Sequence, residues 1–236
     1  MTGVIIEKWA AWQATPEAPK PDVSFVPPLA RRRLTGVERA ALAVAKVVYP
    51  DPPPPEGLPV VFASRWGEIG TTIDLMRQFH ADGEMSPAGF SVSVHNAAPG
   101  AFSLFTRNRA GYTAIAARRR TLSSGFLEAL AQRARTLFVY AEEATPEFYR
   151  PAFGPAQEAV AVAVLLDSAA WRWTGNPLPP ACTFPDFVSW LEDLPTFSPS
   201  PPSSPSPPSP PSPPSSPSHL PTFSPSHLPT FSFLAK

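Results

Sequence analysis

The sequence is poor in cysteine, in net charge and in long apolar runs, and each shortage excludes a class of protein. Its one cysteine, Cys182, can form neither an internal disulfide nor a zinc cluster. Lys+Arg and Asp+Glu number 19 each, so no net field attracts nucleic acid or an anionic membrane. Glu7 and Lys8 interrupt the first apolar run too early for a signal peptide, and no run reaches the roughly 18 apolar residues of a membrane span. We therefore expect a cytoplasmic protein that binds neither nucleic acid nor membrane.

Proline is abundant, at 35 of 236 residues, which is roughly three times its average usage. It is densest at the C-terminal end, where residues 196–236 are mostly Pro and Ser with Lys236 as the one charged side chain. Residues 218–225 and 226–233 repeat one motif, which favours local duplication, or a shifted reading frame, over selected architecture. Such a segment has no apolar face to offset its ordering entropy. We predict a folded domain over 1–194 and a disordered tail over 195–236 that folding does not need.

The rest of the chain alternates between strand-like and helical patterns. Apolar runs predict strands at 4–6, 58–64, 112–117, 137–141 and 159–166. Helical spacing predicts helices at 29–48, 70–82, 93–108 and 123–135, and a short docking helix at about 185–192 anchored by Trp190. In the second of these helices, Ile73, Leu75, Met76 and Phe79 should point inward. The alternation predicts an α/β layered domain with a core over about 3–166. Its sheet should be mixed, because the runs at 137 and 159 are too close for a helical crossover.

Several strings of this sequence resemble the β-ketoacyl synthase-like N-terminal domain family, whose small bacterial members are often called ketosynthase chain-length factors. They are SPAGFSVSVHNAAPG at 86–100, YTAIAA at 112–117, SGFLEAL at 124–130 and FVYAEE at 138–143, together with ASRWGE at 63–68 and RRRL at 31–34. The resemblance covers about residues 3–166 and agrees in the order and spacing of the strings. It implies half of a thiolase-like fold, an α/β/α layered unit.

The resemblance also implies where a condensing enzyme would carry its nucleophile. Such an enzyme needs a cysteine at a strand-to-helix turn, where the helix N-terminus lowers the thiol pKa. Aligning Gly125 with the family's glycine places Leu122 at the nucleophile position, and a leucine cannot be acylated. Ser123 and Ser124 are nearby hydroxyls that we interpret as helix N-caps. The family's two catalytic histidines lie in a C-terminal half that this sequence lacks, so we expect no intrinsic condensation activity and no cofactor.

Four other places in the sequence carry side chains capable of chemistry, and for each we prefer a structural role to a catalytic or metal-binding one. We interpret His95 as a buried, hydrogen-bonded histidine and His80 as a helix C-cap, with no second ligand that would make a metal site. Cys182 has no basic neighbour and should be a passive thiol. The pair Glu142–Glu143 follows a strand and should be solvated.

Two arginine triplets are the clearest local concentrations of charge. Arg31–Arg33 should be a solvated helix start. The second triplet, Arg118, Arg119 and Arg120, replaces a small residue that the family tends to carry after the strand. It either contacts an acidic partner such as acyl carrier protein or marks sequence drift.

The strand at 112–117 indicates how the protein associates. In thiolase-like dimers this strand pairs antiparallel with its copy in the partner, and here it is apolar, β-branched and free of gatekeeping proline. We predict that Thr113 and Ile115 lie in the joined ladder. We also expect the missing half to leave apolar surface exposed. The predicted partner is a full-length ketosynthase, and otherwise a second copy of the chain.

Three functions remain open from the sequence. The first is a non-catalytic ketosynthase-like subunit of the chain-length-factor type, acting in fatty-acid-like or polyketide-like synthesis. The second is an orphaned or degraded reading frame with a folded half-domain and no activity. The third and weakest is a free-standing acyltransferase using Ser123, for which the sequence offers no recognisable catalytic histidine.

Overall fold

The computed structural model describes residues 4–149, 158–172, 178–179 and 182–194. These residues form the strands β1 (Ile5–Gln13), β2 (Val60–Ala63), β3 (Tyr112–Ile115), β4 (Arg135–Glu142) and β5 (Val160–Asp167). They also form the helices α1 (Pro28–Arg31), α2 (Gly36–Val48), α3 (Ile69–Asp82), α4 (Pro87–Ser91), α5 (Ala97–Thr106), α6 (Thr121–Ala131) and α7 (Phe184–Glu192). Contacts divide the chain into Met1–Phe197 and Ser198–Lys236, and every described residue lies in the first unit. The tail predicted at 195–236 lies outside the described residues.

The five strands form one sheet in the order β1-β5-β4-β2-β3. β2 runs parallel to both β3 and β4, whereas β5 runs antiparallel to β4 and β1. The predicted mixed sheet is therefore confirmed. The connection between β4 and β5 is too short for a helical crossover, and these two strands pair antiparallel, as expected. Within the described residues β1 and β3 are the two edges of the sheet.

Helices cover both faces of the sheet. Val60 and Phe62 of β2 point into one core with α2 and α5, while Val61 and Ala63 point into a second core with α6 and α7, as the two-residue period of a strand requires. The predicted α/β/α layering is confirmed. The α7 helix packs over the face that carries α6, and the exposed apolar side chains of the described residues, such as Leu29, Leu104 and Met76, lie on helices.

A capping box divides the single helix predicted at 29–48 into α1 and α2. The Thr35 hydroxyl accepts a hydrogen bond from the Glu38 backbone N–H at 3.1 Å, and the Glu38 carboxylate accepts one from the Thr35 N–H at 2.8 Å. These reciprocal bonds satisfy two N–H groups that have no partner within the helix. The α2 helix therefore starts at Gly36, and Glu38 is buried in its first turn.

The α3 helix buries less of its apolar surface than its sequence predicted. Ile73 and Leu75 are buried, but Met76 and Phe79 are 64% and 54% exposed, so the inward orientation predicted for these two is wrong. The neighbour that α3 contacts most among the described helices is the short α4. One short helix cannot cover two sides of a fourteen-residue helix.

The α7 helix docks through Phe187 rather than through Trp190, which the sequence favoured. Phe187 is completely buried, and its ring centroid lies 5.3 Å from that of Phe126 and 6.1 Å from that of Phe138. Trp190 is half-buried and stacks on Phe187 at 5.6 Å. A second capping box, Thr183 with Asp186, starts this helix. The Phe126, Phe138 and Phe187 rings thus join α6, β4 and α7 in one core.

Candidate functional site

The edge strand β3 is the centre of the candidate site. It ends at Ile115, two residues before the predicted end, and the Ser64 N–H donates to the Ile115 carbonyl at 3.1 Å. At the other end the Val60 N–H donates to the Gly111 carbonyl at 3.1 Å. Because hydrogen-bonding direction alternates along a strand, the odd-numbered residues of β3 face β2. The backbone groups of Tyr112 and Ala114 therefore face the open edge.

This pattern refines the predicted ladder. Thr113 and Ile115 use their own backbone groups toward β2, and only their side chains would lie beside a partner strand. Their assignment to an interface stays a prediction.

The turn between β3 and α6 is held by Thr121, which the sequence analysis missed. Its hydroxyl accepts a hydrogen bond from the Ala117 N–H at 2.9 Å and donates one to the Arg118 carbonyl at 2.7 Å. Arg118 takes a left-handed backbone conformation, with φ of 54°, which residues larger than glycine seldom adopt. The turn therefore keeps its tight shape with an arginine at its strained position.

The sequence suggests that Ser123 or Ser124 is a helix N-cap, and the structure shows that neither is. The α6 helix starts at Thr121, so Ser123 and Ser124 lie inside its first turn. The Ser123 hydroxyl is buried and donates to the Arg120 carbonyl at 3.1 Å, while Ser124 is half-buried. A hydroxyl within the first turn of a helix can bond back to the preceding carbonyl, which is what Ser123 does.

Leu122 fills the position at which the family resemblance places a nucleophile. Its side chain is 3% exposed and belongs to the core that α6 and α7 share with the sheet. The position thus carries no reactive group and is packed with apolar side chains. Of the hydroxyl groups of this turn, those of Thr121 and Ser123 are buried and that of Ser124 is half-buried.

The arginine triplet of the turn is a cationic surface. Arg118, Arg119 and Arg120 form a short 3-10 helix and are exposed. None of them forms an ion pair with an acidic side chain in the described part of the chain. The predicted contact with acyl carrier protein stays a prediction.

Glu142 is not solvated, and the expectation for this carboxylate is wrong. It is the last residue of β4 and is buried, and its carboxylate accepts hydrogen bonds from the Ser64 hydroxyl at 3.1 Å and from the Arg65 N–H. Burial raises the pKa of Glu142 to about 7, against the opposing effect of these hydrogen bonds. Glu142 thus ties the loop after β2 to the end of β4.

Glu143 has a related role at the neighbouring helix. Its carboxylate accepts a hydrogen bond from the Gly70 N–H at 2.5 Å, in the first turn of α3, and the side chain is half-buried. Burial also raises the pKa of Glu143. A carboxylate at a helix N-terminus interacts favourably with the helix dipole. The pair Glu142–Glu143 therefore organises the segment from Ser64 to Gly70.

His95 lies beside this segment but does not complete a catalytic triad. Its Nε2 donates to the Ser64 backbone carbonyl at 2.7 Å, and its ring packs edge-on to Phe62 at 5.9 Å. The Ser64 hydroxyl is fully buried and donates to Glu142 instead. Because the histidine binds the carbonyl and not the hydroxyl, it cannot act as a base on Ser64. The structural interpretation of His95 agrees with these contacts, although it is half-buried rather than buried.

The remaining candidate residues from the sequence are His80, Cys182 and Arg31. His80 lies in the last turn of α3, and burial raises the pKa of the Cys182 thiol to about 11, so this cysteine is not a reactive thiolate. Arg31 is not a solvated residue of a helix start, since its guanidinium donates to the carbonyls of Ser24 and Val26 at 2.6 and 2.8 Å. In the part of the chain that the structure describes, no group of three or more His, Cys, Asp or Glu side chains could hold a metal ion.

An apolar groove of about 710 Å³ lies next to the start of β3. Tyr112 and Asn96, whose amide donates to the Tyr112 hydroxyl at 3.1 Å, form the wall nearest the edge strand.

Among the helices of the described residues, none is long and apolar enough to span a bilayer.

The fold matches solved structures that contain ketosynthases. A chain of a ketosynthase in complex with its chain length factor from Xenorhabdus doucetiae aligns with a TM-score of 0.59 and 22% identity, over 72% of this chain and 81% of that one. The ishigamide ketosynthase/chain length factor gives a TM-score of 0.56 and 15% identity over 71% of this chain and 62% of that chain. The complex of a type II polyketide synthase acyl-carrier protein with its ketosynthase gives a TM-score of 0.51 and 14% identity, over 61% of this chain and 49% of that chain. The chain thus spans less than two thirds of the second and third of these.

These likenesses show that the chain has half of a thiolase-like α/β/α fold. No curated protein matches the chain. The sequence model described as the β-ketoacyl synthase N-terminal domain matches residues 8–181, which is most of the sequence and includes strands β2 to β5 and the larger part of β1. The chain belongs to the β-ketoacyl synthase N-terminal domain family.

Proposed function

We propose that the protein is a non-catalytic ketosynthase-like subunit that pairs, through the open edge of β3, with a full-length ketosynthase in polyketide-like or fatty-acid-like synthesis. The observation that carries this proposal is an apolar edge strand leading directly into a turn whose nucleophile position is a buried leucine. The strand offers a means of association, and the leucine removes the means of catalysis.

The two edges of the sheet differ in a way that favours β3 as the pairing edge. β1 carries Glu7 and Lys8, and its register shifts between Ile6 and Lys8. Charges and bulges are the devices by which proteins protect an edge strand from pairing. β3, with the sequence YTAI, has neither charge nor proline, and its ladder with β2 is regular. Of the two described edges, β3 is therefore the one left able to accept another strand.

The similar solved structures support a ketosynthase as the partner. The first two concern ketosynthases together with chain length factors, and the third concerns a ketosynthase with an acyl-carrier protein. At these identities the likeness extends to the fold, and the partner of this chain remains our proposal. The exposed arginines of the turn would then face an acidic carrier protein.

The first test asks whether the chain takes up an acyl group. We expect no covalent adduct after incubation with acyl and malonyl thioesters, because Leu122 cannot be acylated and the Ser123 hydroxyl is buried. Intact-mass spectrometry measures this, with a complete ketosynthase as the positive control. Leu122→Cys should also stay unlabelled, since its side chain would lie in the core. A stable adduct on Ser124 that Ser124→Ala removes would instead support the acyltransferase alternative.

The second test asks whether β3 is the interface. Ala114→Pro removes an N–H that faces the open edge, which a sheet tolerates at an edge strand, and Ile115→Lys places a charge beside the partner strand. We expect both variants to lose co-purification with a full-length ketosynthase from the same genome. The matched control is Ile5→Lys, at an exposed position of the other edge strand, which should bind as the wild type does.

Circular dichroism and thermal unfolding confirm that each variant is folded before its binding is compared. If folded Ala114→Pro and Ile115→Lys bind the ketosynthase as tightly as the wild type, β3 is not the interface. If the wild type binds no ketosynthase of its genome, the subunit proposal is wrong and the orphaned reading frame is the better explanation.

A further inference from the structure

The helices α3 and α4 pack on each other more than on the rest of the domain. Among the described residues, neither helix contributes a side chain to the two cores that lie on the faces of the sheet. The Leu75 side chain of α3 packs on Gly89 of α4, and residues 76–85 are all exposed. Segments with few buried contacts are those that open locally in a folded protein. We call residues 69–91 the α3–α4 unit.

The contacts that hold this unit are concentrated at its N-terminal end. Gly67 precedes the unit with a φ of 55°, and its N–H donates to the buried Ser64 hydroxyl at 2.8 Å. Glu68, the residue before α3, is 3% exposed. Glu143, which follows β4, accepts a hydrogen bond from the Gly70 N–H at 2.5 Å. Movement of the unit about Gly67 would therefore disturb mainly the contacts of Glu68 and Gly70.

Three carboxyl groups from three elements meet at this end of the unit. Burial raises the pKa of Glu68 to about 8, with Glu38 of α2 and Glu143 adding to the effect and the Thr35 hydroxyl opposing it. The Glu68 Oε1 has no hydrogen-bond partner among the described residues. Once ionised, Glu68 would thus be a buried anion with two carboxylates beside it, which is a costly arrangement.

The basic groups of the surrounding elements do not offset this cost. Within the described part of the chain, Glu68 forms no ion pair with Lys, Arg or His. The Arg39 guanidinium of α2 donates to backbone carbonyls, as does the Nε2 of His95 before α5. The Arg65 guanidinium lies over the Trp66 ring, 4.5 Å from its centroid. Movement into water is therefore the way in which an ionised Glu68 lowers its free energy.

We propose that ionisation of Glu68 undocks the α3–α4 unit, which is docked while this carboxyl group carries its proton. Undocking transfers the proton and the carboxylate of Glu68 to water, breaks the hydrogen bond between Glu143 and Gly70, and leaves both cores intact. The unit follows the carboxyl end of β2, and the turn with Leu122 follows the same end of the parallel strand β3. Undocking therefore changes the surface at the edge of the sheet that carries this turn. The inference does not depend on the proposed function.

Hydrogen–deuterium exchange of the full chain between pH 5 and pH 9 measures this opening, after correction for the intrinsic exchange rate at each pH. The docked unit binds a proton that the undocked unit releases, so docking is strongest at low pH and weakens as the pH rises towards the docked pKa of about 8. The ratio of undocked to docked molecules should rise by about tenfold per pH unit between pH 5 and pH 8 and level off above that. The α6 amides are the internal reference and should be better protected than the α3 amides at every pH.

Glu68→Gln removes the titrating group and should reduce the rise between pH 5 and pH 8 to less than about tenfold in total. The matched control is Glu84→Gln, the same substitution at an exposed position just after α3, which should keep the wild-type profile. Glu68→Leu carries the same expectation and replaces the glutamine variant if that variant does not fold.

Two results would overturn this inference. If the α3 and α6 amides are equally protected at every pH, α3 opens only when the whole domain unfolds. If the rise with pH persists in folded Glu68→Gln, another carboxyl group such as Glu142 or Glu143 controls the unit. Neither result bears on ketosynthase binding, so the proposed function is tested separately.

Discussion

Glu68→Gln should raise the free energy of unfolding by about 3 kcal/mol at pH 9 and change it little at pH 5. Glu68 precedes α3, is 3% exposed, and its Oε1 has no hydrogen-bond partner among the described residues. Burial raises the pKa of Glu68 to about 8, with the nearby carboxylates of Glu38 and Glu143 adding to the effect and the Thr35 hydroxyl opposing it. The folded protein therefore holds a proton that the unfolded chain releases.

The direction of the pH dependence follows from proton uptake. Between the ordinary value of 4.5 and about 8, the folded state binds more protons at Glu68 than the unfolded state does. Stability from this group is therefore complete below pH 4.5 and falls as the pH rises through about 8. A shift from 4.5 to about 8 corresponds to at most about 5 kcal/mol at 1.36 kcal/mol per unit. The buried glutamine amide also lacks partners, which reduces the gain.

Urea unfolding at pH 5, 7 and 9 measures this effect. Glu56→Gln, which neutralises an exposed carboxylate, is the matched control. Glu142, with a pKa of about 7, contributes to the fall of stability with rising pH in both variants. If Glu68→Gln and wild type lose stability in parallel from pH 5 to pH 9, Glu68 is ionised in the folded protein and the environment described for it is wrong.

The sequence predicted the layered fold because its signals are local. Strands β2 to β5 each contain a short apolar run, the α2 and α6 helices repeat apolar residues at helical spacing, and the short gap before β5 required an antiparallel pair. The β1 strand extends to Gln13, well past the run predicted at 4–6, which ended there because Glu7 and Lys8 interrupt the apolar pattern. The capping box at Thr35 is also local, yet the apolar residues on both sides of it concealed the break between α1 and α2. The missed signal was Thr35 followed at the third position by Glu38.

The surroundings of the acidic residues could not be predicted, because they depend on distant contacts. Glu142 and the Arg65 N–H are 77 residues apart in sequence and meet only because β2 and β4 are parallel neighbours. A glutamate pair after a strand and before Pro146 is typical of a solvated loop, and nothing local contradicts that interpretation. The family resemblance assigns Leu122 to the nucleophile position, but the burial of this side chain depends on the packing of α6 against the sheet and α7.

The close approach of α6 to the sheet depends on Gly125. A Cβ at this position would lie 2.5 Å from the Ala63 Cβ on β2 and 3.0 Å from the Phe138 ring on β4. The Ala63 Cβ is fixed by its backbone and cannot rotate away, and Ala63 is completely buried. Helix and sheet must therefore separate to admit even one methyl group.

Gly125→Ala should lower the free energy of unfolding by about 2 kcal/mol, since overpacking at the upper end of the usual cost, about 3 kcal/mol, outweighs the roughly 1 kcal/mol that alanine gains in a helix. Gly100→Ala is the matched control in α5, because the nearest atom to its added Cβ is the Tyr112 hydroxyl at 3.9 Å. It should be neutral or slightly stabilising. Ala63→Gly should rescue Gly125→Ala, giving a coupling energy of about 1 kcal/mol or more in a double-mutant cycle measured by urea unfolding. Additive effects of the two substitutions would mean that α6 does not contact β2 at this point, and the position assigned to the turn at Leu122 would then be wrong.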